Sequence, residues 1–488
     1  MNRRQFFGAV AAAAAGASGC TRARRGDVVS VSRSGRRKRV VVVGAGLAGL
    51  AAADALRAAG HDVLIVEAQS RPGGRVHTVR EPFSDGRYAE AGALFIPNTH
   101  DVTLRYVKRF SLPLSSMTPL ASVRLFYVRG QRLSAPPGVD VAWPFELTPE
   151  ERQLGLAGMW QKYLGAALDD IGDVTAPDWP STPRLIADDG LSIAEFLRMR
   201  GASPGAVELL RLAYFNLTGD GIETYSALAM LRTLAERRRE TAIFSIQGGN
   251  DRLPTALAST LARNIRYDTP VVAIQPGETS ATIVIRRGGE HTRLSADHVI
   301  CTLPFSVLRT LDRGAAWSAQ KQAAIDTLPY TSVARVYLQC RRRVWLDDNA
   351  YYSATTDLPI KWLYDQTLNQ PGPSGILEAQ TIGSAARRLN AFAEADRIRF
   401  TLEQAARVYP ELTAQFDRGA TKCWDEDPWA RGAFAYFRPG QMQTLRANVA
   451  RPEGRVHFAG EHTSAWLGWM QGALDSGLRA AREVNEAA

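Results

Sequence analysis

The chain has 488 residues, 45% of them hydrophobic and 22% charged, enough apolar material for a large core shared between two or three domains. Its formal charge of +10 permits attraction to anionic surfaces, yet the arginines are spread along the chain. Runs such as Arg237-Arg238-Arg239 and Arg341-Arg342-Arg343 read as solvated faces without an aromatic-interleaved basic module, so no nucleic-acid partner is expected.

Residues 1–38 read as an address followed by a linker. Arg3-Arg4-Gln5-Phe6-Phe7 and the alanine-rich stretch behind it have the form of a twin-arginine export signal, too short to span a bilayer permanently. The stretch ends at Ala17-Ser18-Gly19-Cys20, similar to a lipoprotein processing box with Cys20 as the acylated residue; simple cleavage nearby is the alternative. The mature protein is therefore expected in the periplasm or lipid-anchored to a membrane. Thr21 to Lys38 is a polar, Arg/Ser/Gly-rich linker.

Next comes strand, glycine turn, helix, strand: Val40 to Val43, then Gly44-Ala45-Gly46-Leu47-Ala48-Gly49, an Ala/Leu-rich stretch, and Asp62 to Glu67. Gly44, Gly46 and Gly49 let the backbone turn tightly and approach a pyrophosphate at a helix N-terminus, and Glu67 ends the second strand where a carboxylate accepts ribose hydroxyls. A second glycine turn, Arg71-Pro72-Gly73-Gly74-Arg75, resembles the one that follows the acidic residue in flavoproteins of the two-dinucleotide-binding type and helps hold the FAD pyrophosphate; nicotinamide dehydrogenases have no need of it, and the resemblance implies that Gly74 and Arg75 help to bind FAD here. From Leu147 to Arg239 apolar residues recur at helical spacing, with Ser192 and Glu195 placed as a capping box. Val271 to Ile274 reads as a strand, as do Ser332 to Trp345 and runs near Leu363 and Ile376. Close to the C-terminus, Val456-His457-Phe458-Ala459-Gly460-Glu461 and Gly468-Trp469-Met470-Gln471-Gly472 imply a further dinucleotide contact, with Glu461 at the strand end. Cys301, Cys340 and Cys423 are odd in number and lie in or beside apolar runs, so they are expected as buried free thiols; no metal site is expected.

Together with Ile246 to Pro254, Asp297 to Pro304 and Ala354 to Pro359, these blocks resemble the flavin-containing amine oxidase family, which includes monoamine, polyamine and L-amino-acid oxidases. The resemblance runs from Arg39 to Asn485. It implies an α/β fold: a Rossmann-like, two-dinucleotide-binding FAD domain from residues 39–110, 241–325 and 431–488, interleaved with an α+β substrate domain and helical lobe from 111–240 and 326–430. It also implies that Val271 touches adenine through its backbone, that Trp424 packs along the isoalloxazine, and that Phe434 and Trp469 face each other in front of it.

The position that carries the flavin-bonded cysteine in monoamine oxidases is Ala433 here, so the FAD is expected to be noncovalent. Arg335 stands where the family places a lysine linked through water to flavin N5. A guanidinium cannot act as a base; it can hold water and stabilise negative charge, or simply form a strand salt bridge. Phe95 replaces the arginine that holds the carboxylate in L-amino-acid oxidases, and Gln380 replaces the assisting tyrosine, while Gly468 precedes the pocket tryptophan. The expected activity is oxidation of a small-molecule amine to an imine with O2 reduced to H2O2. An L-amino-acid oxidase with a relocated carboxylate anchor and a flavin-binding electron-transfer or noncatalytic lipoprotein remain as alternatives. Another electron acceptor such as a quinone, and a homodimer, are both compatible with the sequence.

Overall fold

The computed structural model describes residue 32 and residues 35–487, apart from 118–123, 137, 138, 140, 175, 177, 178, 315 and 348–352. Arg3, Arg4 and Cys20 lie outside the described residues.

Strand β1 (Arg39–Val43), helix α1 (Leu47–Ala58) and strand β2 (Asp62–Val66) form the first crossover unit. β1 and β2 pair in parallel, and β1 also pairs in parallel with His298–Cys301, which in turn pairs with Val456–Phe458. Ile265–Arg266 completes a five-stranded sheet beyond β2. Val40 to Val43 are all buried, as a parallel strand covered on both faces requires. The terminal helix Met470–Glu486 lies against α1 at very short range: a Cβ on Gly477 would stand 2.2 Å from the Ala48 carbonyl oxygen. Lys38 Nζ donates to the Val484 and Asn485 carbonyls at 2.7 and 3.3 Å, so a lysine at the start of the fold caps the last helix.

The second layer is a seven-stranded sheet. Its order places Phe416–Cys423, Val333–Cys340, Gly375–Ile382, Trp362–Asp365, Ser353–Thr356, Arg124–Val128 and Gln131–Ala135 side by side. The strand expected from Ser332 to Trp345 ends at Cys340. Arg342 in the arginine run turns outward to pair with Asp347 and Glu411, and Trp345 is buried in a short 3-10 turn.

The described residues between 147 and 239 carry a series of helices, including Pro149–Trp160, Ile193–Met199, Pro204–Tyr214 and the lobe helix Ala227–Arg237. Ser192 caps Ile193–Met199 as expected, its hydroxyl accepting from Glu195 N while Glu195 accepts from Ser192 N. Val271–Gln275 is a strand too, but of a separate three-stranded antiparallel sheet with Ala281–Arg287 and Glu290–Ala296. The three remaining cysteines among the described residues are free and buried, and no helix among those residues is long and apolar enough to cross a membrane.

Candidate active site

One cavity of about 540 Å³ runs from the glycine turns to the second sheet. At its first end Gly44, with φ at +105°, brings the backbone under Thr302, where a Cβ would stand 2.5 Å from Oγ1. A Cβ on Gly46 would meet nothing within 4 Å, and one on Gly74 would meet only the Gly46 Cα at 3.8 Å. The two glycine turns touch, Gly73 N donating to the Ala45 carbonyl at 2.9 Å, and Gly46 and Gly74 leave their shared cavity side bare of side chains. The start of α1, with no acidic residue in its first turn and no side-chain cap on Gly46, leaves amide N–H groups for a phosphate. Gly49 differs from expectation: it does not line the cavity, and it packs so closely on the first turn that a Cβ there would stand 2.0 Å from the Gly44 carbonyl oxygen. Its role is close helix–turn packing rather than contact with a ligand.

Glu67 accepts from Ala45 N at 2.6 Å and from Gln69 N at 2.8 Å. Its burial raises the carboxyl above its ordinary range, against the two amides that favour the charged form. Each oxygen keeps a lone pair for a ribose hydroxyl. Thr269 and Val271 line the cavity beside it. Arg75 Nη1 donates to the Ala433 carbonyl at 2.8 Å and pairs with Glu461 Oε1 at 2.7 Å. Glu461 also accepts from Gly468 N at 2.8 Å and Ala435 N at 3.3 Å. One carboxylate thus ties the early glycine turn to two late loops. The bare glycine cradle, a ribose-ready carboxylate and a long cavity fit FAD.

At the far end Phe434, Trp469, Trp424, Phe95, Gln380 and Arg335 all line the cavity. Gly468 has φ at +78°, and a Cβ there would press on the Phe434 ring at 3.3 Å, so glycine keeps Phe434 and Trp469 as adjacent walls. His100 backs Trp469 edge-on at 4.9 Å between centroids. Fully buried, it is pulled down to about 4 by desolvation and stays neutral. Trp424 donates its indole N–H to the Ala91 carbonyl at 2.9 Å.

The turn at Asn250 carries Phe95 into place. Asn250 Nδ2 donates to the Ala93 and Leu94 carbonyls at 2.9 and 3.0 Å, and its amide N to Glu90 Oε1 at 2.8 Å. Phe95 then meets Tyr364 edge-on at 5.6 Å and Trp362 at 6.5 Å, and those two rings stack at 4.7 Å. Trp362 and Tyr364 were not singled out from the sequence; their i, i+2 spacing in one strand was the available signal.

Arg335 lies opposite Gln380 on one side and Lys422 on the other. Its Nε pairs with Glu378 Oε1 at 3.2 Å, and Nη1 donates to the Glu90 carbonyl at 2.9 Å. Glu378 is wholly buried, and desolvation raises its carboxyl. Arg335 is thus both a cavity residue and one half of a buried ion pair. Glu378, a lone acid in an apolar strand, also went unnoticed in the sequence. Among the described residues no cluster of His, Cys, Asp or Glu could hold a metal ion.

The family model described as flavin containing amine oxidoreductase matches residues 47–485. A Bacillus subtilis (strain 168) relative, YobN, whose name assigns it provisionally to the L-amino-acid oxidases, is 33% identical over 486 residues, covering 94% of this chain and 98% of its own. An L-amino-acid oxidase of Vipera ammodytes ammodytes is 28% identical, covering 94% and 96%. Among solved structures, cyclohexylamine oxidase from Brevibacterium oxydans IH-35A superposes with a TM-score of 0.78 at 23% identity, covering 92% of this chain and 99% of that one. Putrescine oxidase bound to putrescine gives 0.76 at 21%, with the same coverage. These two likenesses establish a shared fold.

Proposed function

From the premise that the chain belongs to the flavin-containing amine oxidoreductase family, and is thus a flavin-dependent oxidoreductase acting on CH–NH bonds, we propose that it is an exported oxidase with noncovalent FAD whose substrate is an amine with an apolar body. The carbon–nitrogen single bond becomes an imine, two electrons and two protons pass to O2 to give H2O2, and water then converts the imine to a carbonyl compound and ammonia or an amine. When bound, FAD supplies the two-electron acceptor that no side chain provides. The protein binds, orients and excludes water: Gly46, Gly74 and Glu67 hold the dinucleotide end, Trp424, Phe434 and Trp469 wall the reacting end, and Arg335 holds fixed positive charge beside it.

The observation that carries the substrate reading is the ring cluster Phe95–Trp362–Tyr364. A carboxylate beside those rings would be desolvated without a fork to bind it. The rival L-amino-acid oxidase reading draws on the names of the relatives, and needs an anchor other than residue 95. Mixing anaerobic enzyme with matched amines and α-amino acids, then admitting air, tests the proposal. Bleaching of the flavin absorbance by amines and its return with stoichiometric peroxide support it; faster bleaching by amino acids favours the rival, and bleaching by neither overturns both. Export is tested by fractionation: Arg3-Arg4→Lys-Lys should retain the protein in the cytoplasm, and Cys20→Ala should release exported protein from the membrane fraction. Unchanged fractionation of both variants overturns the export reading.

A further inference from the structure

The lobe helix Ala227–Arg237 gives one face to the cavity: Met230, Thr233, Leu234 and Arg237 all line it, at the three- and four-residue spacing of a helical stripe. Exposure rises along that stripe, from Met230 at 8% to an Arg237 side chain at 50%, so the stripe leads outward and Arg237 stands at the mouth. The other two arginines of the lining are engaged by carboxylates inside, Arg75 by Glu461 and Arg335 by Glu378. Arg237 differs. Its Nε donates to Glu240 Oε2 at 3.2 Å, while its Nη1 and Nη2, the fork that matches a carboxylate, make no hydrogen bond among the described residues. Arg238 and Arg239 follow on the exposed surface, and Arg238 is taken up by Asp169 Oδ1 at 2.7 Å, which leaves the anion-binding role at the cavity to Arg237.

We propose that Arg237 is a specificity-determining residue which binds an anionic group, a carboxylate by preference, at the mouth of the cavity. The substrate on this reading is an amine whose apolar body ends in a negative charge remote from the reacting carbon. Met230 to Arg237 is about 10 Å of helix, which separates the charge from the deep end by several methylene groups. The aromatic wall at Phe95 requires the same separation, since it accepts the apolar body and offers no counter-charge. This inference rests on the amine-oxidase reading above.

The test compares holoenzyme turnover of 8-aminooctanoate with octylamine, and of L-norleucine with pentylamine. Wild type should prefer 8-aminooctanoate to octylamine, with a preference that fades as salt rises. Arg237→Met should lower that ratio about tenfold or more, through KM rather than kcat, Arg237→Lys should keep part of it, and Arg237→Glu should invert it. A ratio that Arg237→Met leaves in place overturns the inference while leaving the oxidase reading intact. Preference for L-norleucine over 8-aminooctanoate, itself lost in Arg237→Met, overturns the remote placement of the charge. Turnover of no amine overturns the inference and the oxidase reading together.

Discussion

Replacing Arg335 by methionine removes one side of a pair in which the Glu378 side chain is 0% and the Arg335 side chain 12% exposed. Methionine fills much of the volume but leaves a carboxylate in a dry strand, with Gln366 Nε2 as its remaining donor. Breaking such a pair from one side costs about 3–5 kcal/mol, whereas removing both charges costs far less. Arg335→Met should therefore shift the urea midpoint strongly at unchanged slope, and Arg335→Met with Glu378→Gln should recover all but about 1–2 kcal/mol, the residue of lost hydrogen bonds. The sign with pH follows from Glu378. Its carboxyl is raised on folding, so the protonated form is favoured in the folded state, and the associated stability is present below the unfolded value near ~4.3 and lost as pH rises through the folded value. Without Arg335 the folded value rises further, so the deficit of Arg335→Met should shrink as pH is lowered and grow toward neutrality. Stopped-flow on the same variants separates stability from chemistry: Arg335→Met should slow reoxidation by O2 more than anaerobic reduction by amine, because positive charge matters most where negative charge forms. An unchanged midpoint, or a deficit that Glu378→Gln does not relieve, refutes the ion-pair reasoning; equal slowing of both half-reactions makes Arg335 a structural residue alone.

Three further outcomes are expected. Glu67→Ala loses the acceptor beside Ala45 N and Gln69 N and should weaken FAD binding by about 1.5–3 kcal/mol; a variant with wild-type flavin content after dialysis removes Glu67 from the site. Acid precipitation should leave all flavin in the supernatant, because Ala433 offers no thiol, and flavin in the pellet contradicts this. Phe95→Arg buries a charge among Trp362 and Tyr364 and should depress kcat/KM for apolar amines roughly 10–100-fold, with undiminished turnover counting against the wall.

Much of the dinucleotide end was legible because its chemistry is local. A β-branched run, a glycine turn and an acid at the end of the next strand are consecutive, and their geometry follows from one crossover unit. Glu461 was legible as a strand-end acid, but its three partners at residues 75, 435 and 468 belong to separate segments. Gly49 looked like a ligand contact because sequence spacing does not say which glycine faces the ligand and which faces the helix packing. The reacting end depended on register. Arg335 meets Glu378 across neighbouring strands, and Trp362 and Tyr364 reach Phe95 from a strand far away in the chain; a slip of one residue would send each side chain to the other face. Arg237 illustrates the same limit for a helix: its periodicity is visible in the sequence, but the direction of the stripe is set by what the helix packs against.

The Arg75–Glu461 clasp has a consequence for the order of events at the ribosome. Its acidic half lies 386 positions after its basic half, and the sheet that carries the phosphate turn gains its last strand only with Val456–Phe458. A chain that stops near residue 450 holds the Ala433 carbonyl that Arg75 reaches, but it has neither the carboxylate that pairs with Arg75 nor the helix that packs on Ala48. Cofactor capture is therefore expected only once Glu461 and the terminal helix have been made, and a chain released near residue 450 should be colourless with its first glycine motif intact.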